Sequence, residues 1–200
     1  LNGVIGSATT NGAGNWTITA STLNNGSHQI VATTVAGGDS QALPVTIDSV
    51  APSAPHSLFL DSATDSGRFD NDRITSISSP RISGNAETGT AIALFQNGSP
   101  LGTTTSISGA FAYIPNIGSE GTHSFTAHAT DLAGNQSPLS SSLNVEFDFT
   151  APPSPGAPTL DPASDSGDFN SDRLTNFGTP TFTGTGLDEH GILLVANDQP

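Results

Sequence analysis

Carboxylates at a repeated spacing are what this sequence offers for chemistry. DSATDSGRFDNDRIT runs from Asp61 to Thr75, and DPASDSGDFNSDRLT runs from Asp161 to Thr175. Asp61, Asp65 and Asp72 return as Asp161, Asp165 and Asp172, with Ser66, Gly67, Phe69, Arg73 and Thr75 also matched at a constant interval, while Asp70 becomes Asn170 and Arg68 becomes Asp168. Like charges brought within about 4–6 Å cost on the order of 1 kcal/mol per pair even in a water-like medium, so a fold that gathers them invites a counter-ion. Hard oxygen ligands favour Ca²⁺, which accepts 6–8 of them in flexible geometry, over zinc or copper. The competing reading is a plain turn: Asp, Ser and Gly are turn formers, and acidic surfaces serve solubility. A solvated turn constrains few of its residues, whereas Asp61, Asp65 and Asp72 keep both type and spacing; the full spacing of an EF-hand loop is absent. Arg73 and Arg173 are expected to pair with a local carboxylate.

The elements that position these acids follow from sliding the chain against itself. Ala51-Pro52 matches Ala151-Pro152, Pro80 matches Pro180, Gly84 matches Gly184, Leu94 matches Leu194 and Asn97 matches Asn197, all without a gap. The opening residues read as part of an earlier copy: Trp16 in GAGNWTIT fits Phe111 in ISGAFAYI, and His28 in NGSHQI fits His123 in EGTHSF. The period is that of a small domain rather than of a solenoid repeat. The expected organisation is a carboxyl-terminal half-repeat over 1–49, a complete repeat over 50–149 and an amino-terminal half-repeat over 150–200. Proline-rich junctions at Asp48–Pro55 and Asp148–Pro158 predict short, stiff connections.

Alternation with period 2 in TAIALFQ, GAFAYIP, HSFTAHAT and SLNVEFD, separated by the turn signals NGSP, NIGSEG and LAGNQS, predicts an all-β fold. Six to seven short strands in about 100 residues describe tandem immunoglobulin-like β-sandwiches. Strand A is expected at 57–60, B near 81–84, C at 90–96, C′ or D near 101–106, E at 109–114, F at 123–130 and G at 139–147. In that architecture Asp65, Asp70 and Asp72 of the A–B loop and Asp148 at the end of G point to one junction. Asp48, Glu87 in B–C and Asp131 in F–G converge on the junction before it. Asp161, Asp165, Asp168 and Asp172 repeat the arrangement in the third copy.

Composition excludes several classes. The 200 residues contain 0 Cys and 0 Met, Lys+Arg 4 against Asp+Glu 18, and a formal net charge of −14. Nucleic acid and anionic membranes are poor partners for such a chain. No apolar run approaches the roughly 20 residues of a membrane span, and a chain without an initiator Met reads as a fragment. Without cysteine there are no disulfides, thiol nucleophiles or thiolate metal sites, and a small secreted domain then needs another staple. His123 and His128 are expected on opposite faces of one strand, where they cannot share a metal. Carboxylate-pair glycoside chemistry needs a sugar-binding cleft, which a chain with one Trp and one Tyr is poorly equipped to build. Trp16 reads as a core residue. No enzymatic activity is expected.

The string AP-x-AP, D-x3-DSG-x4-DR-[IL]-T, P-x3-G, G-x-H, ATD-x-AGN-x-S and D-x-TAP resembles the bacterial Ig-like repeats of giant secreted and cell-surface adhesins, many of them exported by type I secretion. The resemblance implies Ca²⁺-rigidified extender domains outside the cell or on its surface that support adhesion or biofilm formation. The implied partners are neighbouring repeats in the same chain, with host-cell or surface ligands reached through other domains. The first copy departs from the pattern in carrying Thr34 where Asp131 stands, and the third carries GLDEHG (186–191) in place of NAETGT. Two alternative functions stand beside this one. A glycan- or ligand-binding module would need an aromatic platform or side pocket, and an accessory domain of a secreted enzyme would be joined to a catalytic one.

Overall fold

The computed structural model describes residues 3–67, 69–169, 171–186 and 191–196. Its contacts divide the chain into two units, residues 1–149 and 150–200. The described regular structure is β apart from one 3-10 turn, and no helix among the described residues is long and apolar enough to cross a membrane.

In the first unit, β1 (Gly26–Ile30) and β2 (Leu43–Ile47) form an antiparallel pair. Eight further strands follow: β3 (His56–Leu60), β4 (Ile74–Thr75), β5 (Ile82–Asn85), β6 (Ala91–Gln96), β7 (Ser99–Thr105), β8 (Ala110–Tyr113), β9 (Gly121–Thr130) and β10 (Leu143–Phe147). They build two sheets, β3-β5-β8 and β4-β10-β9-β6-β7. In immunoglobulin terms these are A-B-E facing A′-G-F-C-C′, a β-sandwich as the sequence predicts.

Strict alternation explains why these segments are strands. In β9, His123, Phe125, Ala127 and Ala129 are buried while the residues between them are not; Leu143, Val145 and Phe147 do the same in β10, as do Ile92 and Leu94 in β6. With Leu60, Ile82, Phe111 and Ile117 they form one core between the sheets. Gly84 is required there because a Cβ would stand 2.7 Å from Cζ of Phe111.

Two expectations are corrected. Strand G begins at Leu143 rather than Leu139, because serine side chains replace the ladder around Pro138, which has no N–H. The peptide N–H groups of Ala129 and Ala127 donate to Oγ of Ser137 and Ser140, whose own N–H groups donate back to the same residues' carbonyls. Trp16 is 55% exposed, whereas Phe111 is buried. The described strands of residues 3–49 are only β1 and β2, so no second sheet covers the indole.

The β1–β2 register reproduces that of β9–β10. Gly26 faces Ile47 and His28 faces Val45, just as Gly121 faces Phe147 and His123 faces Val145. His28 and His123 each place Nε2 on the carbonyl four residues back, Asn24 and Ser119, at 2.8 and 3.1 Å.

The second unit holds β11 (Thr159–Leu160), a 3-10 turn at Pro162–Ser164 and β12 (Phe182–Thr183). Thr159 faces Thr183 and Leu160 faces Phe182, which is the register of Phe59 with Ser83 and Leu60 with Ile82.

Candidate metal centre in the acidic loops

Between β3 and β5 the chain leaves one sheet, passes through the acidic loop and joins the other sheet as β4, which runs parallel to β10. The N–H of Glu146 donates to the Arg73 carbonyl and that of Asp148 to the Thr75 carbonyl. The loop therefore lies beside the end of strand G, and Asp148 lies beside its exit, as expected.

Within the loop each acid has a distinct task. Asp61 caps a turn, accepting from the Ala63 N–H at 3.1 Å, and its other oxygen lies 3.5 Å from Nε of Arg81. Arg81, not Arg73, thus makes the guanidinium–carboxylate pair described in this loop. Arg73 contributes its peptide N–H, which donates to Asp65 Oδ2 at 3.0 Å from a backbone with φ 64°. Asp72 Oδ1 accepts from the Ile74 N–H at 2.9 Å. The Asp72 carboxylate folds over Gly67, where a Cβ would meet its oxygens at 3.1 and 3.2 Å and the Ile74 carbonyl at 2.9 Å. This close approach is why the DSG glycine is a glycine.

Asp65 is only 6% exposed, and its Oδ1 is buried with no hydrogen-bond donor. Its carboxyl is pushed above the ordinary range, chiefly by burial. The Arg73 N–H opposes this, while Asp72, within hydrogen-bonding reach, and the nearby charge of Asp70 add to it.

The second loop repeats the bonds that fix these acids, although the Asp165 N–H donates to the Pro162 carbonyl where that of Asp65 donates to the Asp61 carbonyl, and Thr181 stands where Arg81 pairs with Asp61. Arg173 N–H donates to Asp165 Oδ2 at 3.0 Å from φ 66°, Leu174 N–H donates to Asp172 Oδ1 at 3.0 Å, and Asp161 caps Ala163 at 2.8 Å. Ser66 and Ser166 each accept from the peptide ten residues on, Ser76 and Asn176, at 2.8 Å. Gly167 again lies under the carboxylate of Asp172. Asp165 is 8% exposed and its Oδ1, too, is buried without a donor. Asp70 and Asp168 are exposed.

The acids of the opposite pole are spent differently. Asp131 Oδ1 accepts from the N–H groups of Ala133 and Asn135, and Oδ2 accepts from Asn135 Nδ2 at 2.9 Å. These donors, the Asn135 amide first, hold its carboxyl below the ordinary range. Asn135 Nδ2 also donates to the Asp48 carbonyl at 3.1 Å, fastening the F–G turn to the linker. Asp48 Oδ1 caps Val50, and Glu87 Oε1 accepts from the Ser53 N–H at 2.7 Å. Among the described residues no group of three or more His, Asp or Glu side chains is disposed to hold a metal. The structure thus brings Asp65 together with Asp72, and Asp131 together with Asn135, rather than gathering each pole's acids into one shell. Asn135 is a fastener that the reading of the acids alone missed; its signal was the AGN of TDLAGNQS. In GLDEHG, residues 187–190 lie outside the described residues.

His123 faces the core and His128 the opposite side of β9, where it packs against Phe95 and bonds Gln136.

Two facing antiparallel-rich sheets with an A-to-A′ crossover define an immunoglobulin-like β-sandwich. Residues 52–149 match the family model for the bacterial Ig-like domain. Among solved structures the chain is similar to "Biofilm associated protein - BSP domain", at 22% identity and a TM-score of 0.33, covering 74% of this chain and 23% of that one. It is also similar to the Clostridium perfringens spore cortex lytic enzyme SleM, at 16% identity and a TM-score of 0.32, over 57% of this chain and 36% of that. A third similarity is to the Clostridium thermocellum CbhA fibronectin(III)-like modules, at 14% identity and a TM-score of 0.36, over 67% and 70%. The chain spans less than two thirds of the first two. The comparison with curated proteins gives no match.

Proposed function

We propose that this protein is a structural segment of a secreted or cell-surface bacterial adhesin: a tandem of Ig-like extender domains, stiffened by Ca²⁺ at the junctions between repeats and supporting adhesion or biofilm formation. It catalyses nothing. The observation that carries the reading is the duplicated acidic loop, which keeps its left-handed arginine, that residue's N–H bond to aspartate and its buried carboxylate in two places along one chain. A domain of this size, written repeatedly and joined by proline-rich linkers, serves reach rather than chemistry.

The donors present fit a hard cation. Asp65, Asp70, Asp72 and Asp148 lie at or beside the A–B loop, and Asp161, Asp165, Asp168 and Asp172 repeat its acids. Asp48, Glu87 and Asp131 have carboxylate oxygens already engaged by peptide or amide donors, so they would add to a junction site only by exchanging some of those bonds. A bound ion supplies charge neutralisation and a fixed angle.

At free Ca²⁺ about 100 times Kd a single site stabilises the folded state by ~2.7 kcal/mol, and extracellular modules bind near 10⁻⁴–10⁻³ M. Calorimetry of the chain is expected to give a higher melting temperature in millimolar Ca²⁺ than in EGTA, and small-angle scattering a longer maximum dimension. Identical melting and dimensions in both buffers would overturn the calcium part. Antibodies raised against the chain are expected to label intact bacteria; labelling only after lysis would overturn the surface assignment.

A further inference from the structure

We propose that the outer face of the β3-β5-β8 sheet carries a binding groove for a neutral oligosaccharide, with Phe59 as its stacking platform and Ser83, Asn85 and the Asp61–Arg81 pair as its hydrogen-bonding groups. The groove needs neither calcium nor a neighbouring repeat, so its failure and the failure of the extender reading are separate results.

The trough follows from which residues the sheet turns outward. Leu60, Ile82 and Phe111 point into the core, so the residues next to them along each strand point out. Phe59 faces Ser83 and Ser83 faces Ala112 across the sheet, and the next outward pair is Asn85 with Ala110. Alanines on β8 beside larger side chains on β3 and β5 leave a depression, which Thr104 and Thr105 of β7 wall on the far side. It encloses about 490 Å³, within the ~300–1,000 Å³ of small-ligand sites.

The lining selects the ligand. Phe59 is 48% exposed, and an aromatic face with its partial negative charge packs well against the C–H-bearing face of a pyranose. Ser83 is more than nine-tenths buried, yet its hydroxyl has no hydrogen-bond partner among the described residues. The side chains of Asn85 and Thr104 have none either. In the acidic loop, by contrast, the hydroxyls of Ser66 and Thr75 are bonded to each other and to their surroundings. A nearly buried hydroxyl left unbonded is costly, and a ligand that reaches it recovers that cost. Hydroxyl and amide groups both donate and accept, as the hydroxyls of a sugar do. Arg81 Nε lies 3.5 Å from Asp61 Oδ2, which leaves the other N–H groups of the guanidinium to a ligand and makes the groove neutral. A polyanion would meet the repulsion of a chain carrying a formal charge of −14.

The third copy separates the groove from the scaffold. Its β11–β12 register is that of β3–β5, but Thr159, Thr181, Thr183 and Thr185 stand where Phe59, Arg81, Ser83 and Asn85 stand in the complete domain. The acids that recur serve every copy; the platform, the guanidinium and the amide are what the complete domain adds.

The test is a heteronuclear NMR titration of the full chain in EGTA with cellohexaose, maltohexaose, mannohexaose and N-acetylchitohexaose. At least one is expected to shift the amide resonances of Phe59, Ser83 and Ala112 saturably at millimolar concentration, leaving Leu132 on the opposite pole unmoved. Phe59→Ala should weaken that binding about tenfold. Ser83→Ala should weaken it too while melting no lower than wild type, because it deletes a hydroxyl that bonds nothing in the fold; a lower melt would assign Ser83 to structure instead and count against the site. No saturable shift with any of these sugars, or equal affinity in Phe59→Ala, would overturn the proposal. So would shifts at the groove produced only by an acidic hexasaccharide of alginate or by an extended peptide.

Discussion

Replacing His123 by phenylalanine isolates a device that this fold uses at the start of strand F. The imidazole is 7% exposed. Its Nε2 donates to the Ser119 carbonyl at 3.1 Å, its Nδ1 accepts from the amides of Gln96 and Asn97 at 2.7 and 3.2 Å, and its ring meets Phe147 edge-on at 5.3 Å. Phenylalanine keeps the ring and the Phe147 contact but deletes every polar bond. The two amides, on less buried residues, can turn to water, so the cost is dominated by the remaining loss, about 1–3 kcal/mol for a buried group left unsatisfied. Alanine adds a cavity and raises the total to about 3–5 kcal/mol. A domain of this size shifts its midpoint by roughly 4–8 °C per kcal/mol, so His123→Phe should lower it by at least about 4 °C and His123→Ala by clearly more. His28 makes the same bond to the fourth residue back at a half-buried position where the bond is open to solvent, so His28→Phe should cost less than His123→Phe. Thermal melts of the three variants in one buffer decide the matter. If His123→Phe melts with wild type, the polar bonds at this corner are worth nothing net and the residue is a packing group only.

Gly67→Ala should cost about 1–3 kcal/mol and weaken Ca²⁺ binding, because its Cβ would press on the Ile74 carbonyl and displace Asp72. Gly134→Ala, with φ 91° and open space around it, should cost about 1–2 kcal/mol through backbone strain alone and leave binding intact; denaturant titrations with and without Ca²⁺ separate the two. Without divalent ions, the raised carboxyl of Asp65 favours folding most below about pH 3.9, and that contribution is lost as pH climbs through its folded value. Asp65→Asn should therefore flatten the fall in stability above that point. Asp131 carries the opposite sign: its lowered carboxyl stabilises above about pH 3.9 and loses that contribution as pH falls through its folded value. Urea melts from acid to neutral pH should show Asp131→Asn removing part of the acid-side loss.

The sandwich was legible because alternation and turn chemistry are local: seven expected strands appear within a few residues of their places, and the register of the third copy's first strands follows that of the second. The two-residue strand β4 was not legible, since its pairing with β10 joins residues some seventy positions apart and no periodicity survives in two residues. Trp16 was misjudged because an aligned aromatic inherits a core only if the facing sheet is present beside it. Among the acids, recurrence singled out Asp65 and Asp72, which the structure brings together. It could not show that Asp65 is buried while Asp61 caps a turn, because both keep their type for different physical reasons. Arg73 was legible as constrained but not as to how: its left-handed backbone aims an N–H, not a guanidinium, at the carboxylate.

The two poles of the complete domain thus use one residue type for opposite ends. At the linker side, Asp131, Asp48 and Glu87 each accept from peptide or amide donors, and their worth lies in fastening a turn and a proline-rich entry to the sandwich. At the crossover side, Asp65 and Asp72 are acceptors facing each other, and Asp65 Oδ1 lacks a donor. A carboxylate with its donors in place needs nothing from solution, so the linker side should hold its geometry at any Ca²⁺ concentration. A carboxylate buried against another is stable only when something positive arrives, so the crossover side should answer to the ion. Calcium would then act first on the security of β4 against β10, inside a domain. Any effect on the angle between domains would follow from that, because a loop that is not itself ordered cannot transmit a fixed direction to the chain beyond it.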